Sequence, residues 1–165
     1  MDLDCDEQLQ MMISIALEQD RITKFITESN RIEGITRIPT DDEVDEHIRF
    51  INLDFITVQD MVKFVSICEP KAKLRNEFGL NVTVGNHKPP AGNPNMLLLL
   101  EDILESLEYS NPFQVHGMYE TLHPFTDGNG RSGRALWAWH MKQKDLPYDN
   151  FLHTFYYQSL DNFRC

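Results

Sequence analysis

Two helical patterns in this chain are separated by a twelve-residue break, His123-Pro124-Phe125-Thr126-Asp127-Gly128-Asn129-Gly130-Arg131-Ser132-Gly133-Arg134. Before it, Val115, Met118, Tyr119 and Leu122 recur at helix spacing. After it, Ala135, Leu136, Trp137 and Met141 mark a helix that starts near Asn129 and runs to about Lys144. Pro124 disfavours helical geometry at His123, so the imidazole should stand where the first helix gives out. The middle of the break is a glycine-rich loop feeding a helix N-terminus, whose free N–H groups and positive dipole end attract anions. Gly128 and Gly130 let the backbone approach a ligand closely. Arg131 and Arg134, three apart, are expected on one face of the first turn. Two cations there oppose the helix dipole, and a bound polyphosphate accounts for them. Asp127 reads either as an N-cap or as part of that anion-handling site.

Other glycine-loop chemistries fail on their own terms. The Gly-x-x-x-x-Gly-Lys-Ser/Thr order of a Walker loop is missing. Asp127 and Asn129 begin like a calcium loop, but Ser132 takes the turn-glycine position and Ala138 the bidentate-acid position. Net charge is −11, with acids gathered at Asp2–Glu7 and Asp41–Glu46. Such a surface argues against a nucleic-acid or anionic-membrane binder, which needs a basic footprint. ATP needs only a local positive pocket and a metal, so it stays open. No apolar run approaches the ~20 residues of a membrane span, and the first residues lack a signal peptide's basic and apolar regions. Cys5, Cys68 and Cys165 are scattered and odd in number, which fits reduced thiols. A cytoplasmic protein is the expectation.

The segment His123–Arg134 resembles the signature of Fic-domain proteins at every defining position. The resemblance implies a mainly α Fic fold, a helical bundle with a short β-hairpin flap over the active site. Residues 1–165 would form one such domain, with the catalytic loop at 123–134. It implies transfer of AMP from ATP to a Ser, Thr or Tyr hydroxyl of a target protein, with the intact Gly-Asn-Gly segment favouring adenylyl transfer. The target would be an unidentified protein or the chain itself. On that mechanism His123 is the general base, an imidazole of pKa ~6.5 suiting the task. Asp127 holds Mg²⁺. Backbone groups across Gly128, Asn129 and Gly130, with the Asn129 side chain, stabilise the phosphates, while Arg131 and Arg134 grip the β/γ end. Removal of AMP at the same site, transfer of another nucleotide-derived group, and a silent nucleotide-binding module remain as alternatives.

Upstream, apolar Leu9, Met12, Ile13, Ile15, Leu17, Ile22, Phe25 and Ile26 predict a helix from about Asp6 to Arg31, broken near Glu18–Asp20. Gly34 reads as its terminating residue. Ser29-Asn30-Arg31-Ile32-Glu33-Gly34 resembles the Fic inhibitory motif, within a segment at about 20–34. That likeness implies self-inhibition, with Glu33 paired to Arg134 and Ser29 beside it. Thr40-Asp41-Asp42-Glu43 is a capping box opening a helix to about Asn52; Thr57 opens another that Pro70 stops. From about 80 to 90, Val82-Thr83-Val84, Gly85-Asn86 and Pro89-Pro90 read as a short hairpin. It resembles the Fic flap, implying that Val82, Thr83 and Val84 hold a target strand. Met96–Leu107 and a helix capped at Ser110 or Asn111, with Pro112 in its first turn, complete the approach to the motif. His116 is expected to be structural. Asp149–Phe163 predicts a last helix, where the resemblance implies that Tyr156 or Tyr157 serves an adenine pocket.

Overall fold

The computed structural model describes residues 4–148 and Phe163. Its helices are α1 (Cys5–Ile32), α2 (Asp41–Ile51), α3 (Val58–Cys68), α4 (Met96–Glu105), α5 (Pro112–Leu122) and α6 (Asn129–Gln143), with a 3₁₀ turn at Ser106–Glu108 after α4. The expected Met96–Leu107 helix therefore tightens in its final turn. Reciprocal capping boxes start α1 (Asp4 with Glu7), α2 (Thr40 with Glu43), α3 (Thr57 with Asp60) and α5 (Asn111 with Gln114, Pro112 following). Each satisfies N–H groups that the first turn leaves open.

The sixth helix is the axis of the bundle, packed against α1, α2, α3 and α5. One side, Ala135, Leu136 and Trp139, joins a core with Phe64, Leu100, Tyr119 and Phe125. The other, Ala138 with Trp137 and Met141, joins a second cluster with Ile22, Phe25, Ile26, Val44 and Ile51. Because both flanks are covered, the N-terminal turn of α6 is held from two directions: α3 and α5 on one side, α1 on the other. Trp139 donates its indole N–H to Leu53 O at 2.8 Å, which ties the far end of α6 to the turn after α2.

Two expectations for α1 are corrected. It runs unbroken through Glu18–Asp20. No proline or glycine falls there, and Lys24–Asp20 and Arg21–Glu18 pair at helical spacing across the spot. The apolar residues of its first half do not reach the core either: Leu9, Met12, Ile13, Ile15 and Leu17 are each more than half exposed. Burial in α1 begins at Ile22, where α2 and α6 first lie alongside. Among the described residues no helix is long and apolar enough to cross a membrane. The expected helix at Asp149–Phe163 lies outside the described residues except Phe163, whose ring stands edge-on to Phe113 at 6.0 Å. It also occupies the space a side chain at Gly117 would need.

Candidate active site

His123 closes α5 as its C-cap, in the left-handed region at φ 51° and ψ 62°, with its N–H donating to Tyr119 O at 2.8 Å. A non-glycine residue there costs on the order of 1 kcal/mol, so surrounding structure must hold it. That hold comes from the next three residues. Leu74 and Phe125 form an antiparallel bridged pair, Arg75 N–H donates to Pro124 O at 2.8 Å, and Thr126 N–H to Lys73 O at 2.8 Å. Phe125 is buried in the core. The imidazole, mostly covered, has its Nδ1 3.9 Å from Glu120 Oε2, one helical turn back. A carboxylate on that side favours the tautomer with its proton on Nδ1 and its lone pair on Nε2. Glu120 is buried, and its position was not singled out by the sequence pattern.

The loop that follows is braced by Asn129. Its side-chain oxygen accepts from Phe125 N–H and its amide donates to Phe125 O, both at 2.8 Å. Both ends of its amide are thus tied to the loop, so the Asn129 side chain braces the start of α6. Gly128 is the N-cap of α6, at φ 75°, and no side chain caps that turn. Asp127 is therefore not the N-cap. It is exposed, and its Oδ1 accepts from Gly128 N–H at 2.6 Å. Ser132 stiffens the same turn, donating toward Gly128 O at 2.9 Å and sharing a 2.7 Å hydrogen bond with the buried Tyr119 hydroxyl.

The two motif arginines diverge. Arg131 turns to the end of α3, donating to Cys68 O at 2.6 Å and to Glu69 Oε2 at 3.0 Å. A guanidinium suits the carbonyl end of a helix, and burial there pushes the Cys68 thiol up to about 12. The shared face expected for Arg131 and Arg134 is not formed, because the end of α3 offers the first of them a carbonyl and an acid at contact distance. Arg134 turns to α1 and is fully buried. Its Nε donates to Ser29 Oγ at 2.8 Å, and its Nη2 to Ser29 O at 3.0 Å and Glu33 Oε1 at 2.6 Å.

Glu33 arrives there because α1 ends in a Schellman motif: Gly34, at φ 74°, donates to Arg31 O, and Ile35 to Asn30 O. Its carboxylate would otherwise face the negative end of its own helix dipole; Arg134 removes that penalty. A Cβ at Gly130 would overlap Glu33 Oε1 and approach Arg134 Nη1 to 3.0 Å. Glu33 thus lies directly over the first turn of α6, against backbone that only glycine leaves open.

His116 is structural, its Nδ1 3.0 Å from Gly133 O. The hairpin expected over 80–90 is corrected to one antiparallel pair, Val84 with His87, closing the turn Gly85-Asn86. Val82 and Thr83 are in no ladder, and among the described residues there is no strand longer than an isolated pair. Pro89 and Pro90 lack the N–H groups that a longer ladder on the return side would use. The loop is held from below by Arg75, a fully buried residue that no periodicity pointed to. Tyr156 and Tyr157 lie outside the described residues.

A family model described as "Fic/DOC family" matches residues 56–141, more than half of the 165-residue chain. The match runs from α3 through most of α6 and so contains His123, the loop and both arginines. No curated protein matches the chain.

Proposed function

This chain belongs to the Fic/DOC family, and from that premise we propose that it is a protein adenylyltransferase held in check by Glu33. The family points to a nucleotide-transfer function. The finer reading is that a target hydroxyl attacks the α-phosphorus of ATP. The α-phosphorus–oxygen bond to the β-phosphate breaks, pyrophosphate leaves, and the hydroxyl proton passes to His123 Nε2. An imidazole with a carboxylate behind it suits a general base. The backbone N–H groups from Gly128 to Gly130 would face developing phosphate charge, while Asn129 fixes the loop that carries them. Arg134 is the guanidinium placed for the polyphosphate's far end. Arg131 acts through α3, holding the start of α6 in place.

Asp127 is the carboxylate that would hold Mg²⁺. It is exposed beside the α6 N-terminus, and the described residues contain no group of three or more metal-ligating side chains. A single carboxylate suits a cation that keeps most of its waters and takes its other ligands from phosphate. When bound, Mg²⁺ would neutralise phosphate charge there.

The observation that carries this reading is the seat of Glu33. Its carboxylate occupies an anion position over Gly130, on a buried arginine, at an uncapped helix start. An internal anion placed where a phosphate would go competes with nucleotide, and that is self-inhibition. The test is incorporation of α-labelled ATP with Mg²⁺, using the chain itself as acceptor. Label is expected on Glu33→Gly, little on the wild type, and none on Glu33→Gly/His123→Ala. No label on any variant, with ATP binding shown by calorimetry, would end the adenylyl-transfer reading.

A further inference from the structure

Arg75 lies outside the motif, in the irregular stretch between α3 and α4, yet its side chain is completely buried without a carboxylate partner among its hydrogen bonds. Its guanidinium donates to four backbone carbonyls. Nε reaches His123 O at 2.7 Å and Nη2 reaches Leu122 O at 2.8 Å. Nη1 reaches Pro90 O at 2.8 Å and Leu80 O at 3.3 Å. Its own backbone adds two bonds, N–H to Pro124 O at 2.8 Å and carbonyl from Asn93 N–H at 3.0 Å. One residue therefore joins the end of α5, with the base residue itself, to both ends of the loop 80–90.

The chemistry favours a tie of this kind over a packing role. The last carbonyls of α5 carry the negative end of its dipole and have no helical partner. A planar fork with five donors can serve several of them at once, where an ammonium cannot. Desolvation lowers the Arg75 pKa from its usual value, so the site bears a real cost for keeping the cation. His87 adds an outer tether, its Nε2 2.9 Å from Thr121 O. The left-handed backbone at His123 and the loop's position along α5 thus share one guanidinium, which adds to the backbone pairing of residues 124–126.

We infer that Arg75 is a positioning residue that couples the loop 80–90 to His123, so that the loop lying beside the base and the base itself hold or lose their placement together. The catalytic consequence rests on the adenylyl-transfer reading above; the coupling does not. A displaced base about 1 Å off line costs on the order of a hundredfold in rate, while the phosphate cradle, built from Gly128–Gly130 and Arg134, does not touch Arg75.

The experiment uses the full chain with Glu33→Gly as background, and compares Arg75→Lys with Asn81→Ala. The second variant leaves Arg75 intact and removes only the Asn81 Oδ1 to Gly92 N–H bond (3.0 Å) at the loop's base. Hydrogen exchange is followed by mass spectrometry in peptides covering 80–90, 120–126 and α2, with the labelling rate and the ATP dissociation constant measured in parallel. Arg75→Lys should speed exchange in 80–90 and 120–126 together and leave α2 unchanged. It should cut the labelling rate at least about tenfold and move the ATP dissociation constant less than about twofold. Asn81→Ala should loosen 80–90 and, through Arg75, 120–126 as well. The inference is overturned if the loop loosens in either variant while 120–126 keeps its protection, or if ATP affinity falls in step with the rate. Should the Glu33→Gly background carry no label at all, the transfer reading fails, and the exchange pattern still decides the coupling.

Discussion

Replacing Glu33 by glycine should push stability and activity in opposite directions, which separates a brake from an ordinary structural ion pair. The Arg134 side chain is fully buried, whereas Glu33 keeps about a third of its exposure, 34%. Exposed pairs contribute ~0–1 kcal/mol, and breaking a fully buried pair costs ~3–5 kcal/mol. This half-covered pair at 2.6 Å falls between them, at about 2 kcal/mol. Loss of that amount should lower Tm by roughly 4–8 °C for a domain of this size. The same amount no longer has to be overcome when a phosphate takes Arg134, so the competent fraction should rise about thirtyfold. Differential scanning calorimetry and α-labelled ATP incorporation, run on the same preparation, read the two effects. Saturating ATP should return part of the lost Tm in Glu33→Gly and much less in the wild type. A lowered Tm with labelling raised less than about threefold would refute the reasoning: Glu33 would then hold α1 to α6 without gating the site.

Gly130→Ala should separate occupancy from pairing. The new methyl displaces Glu33 from Arg134, yet it also fills the phosphate's approach, so labelling should not rise as it does in Glu33→Gly, and ATP titration should show weakened binding. Asn129→Ala leaves the Phe125 N–H and C=O without their partner; a loss of about 2–3 kcal/mol in urea unfolding is expected, with labelling abolished. Native-state stability should fall in acid because of His47. Burial depresses its pKa to about 4, below an unfolded value of ~6.5, so its contribution is fully present above pH ~6.5 and is lost as pH falls through about 4. Unfolding free energy measured from pH 7 to 4 should show an added loss on the order of 3 kcal/mol that His47→Phe, apolar and of similar shape, largely removes. Finally, Cys68 should resist maleimide at pH 8 in the native protein and react after unfolding, since burial raises its thiol pKa to about 12; peptide mapping would show it.

Local chemistry was legible in the sequence wherever a few adjacent residues sufficed. Thr40 with Glu43, Thr57 before α3, Pro112 after Asn111, Pro124 after His123 and Gly34 after Glu33 each fix a helix end through their own backbone and nearest neighbours. The same holds for the order of the motif, because loop, glycines and helix start are contiguous. Even the contact between Glu33 and Arg134 was within reach, since a resemblance supplied the long-range pairing that spacing cannot.

Tertiary structure decided which way each functional side chain turned. Arg131 and Arg134 are chemically alike and three residues apart, but α3 presents a carbonyl and Glu69 to one, while α1 presents Ser29 and Glu33 to the other. The type and place of Asn129 suggest a phosphate ligand, and only the folded loop brings Phe125 within reach of both ends of its amide. The first half of α1 shows an apolar pattern whose residues stay exposed, because periodicity reports a face and not whether a neighbour extends far enough to cover it. Arg75 was silent for the same reason. Its role depends on four carbonyls from segments up to 48 residues away, which only the fold assembles around one guanidinium.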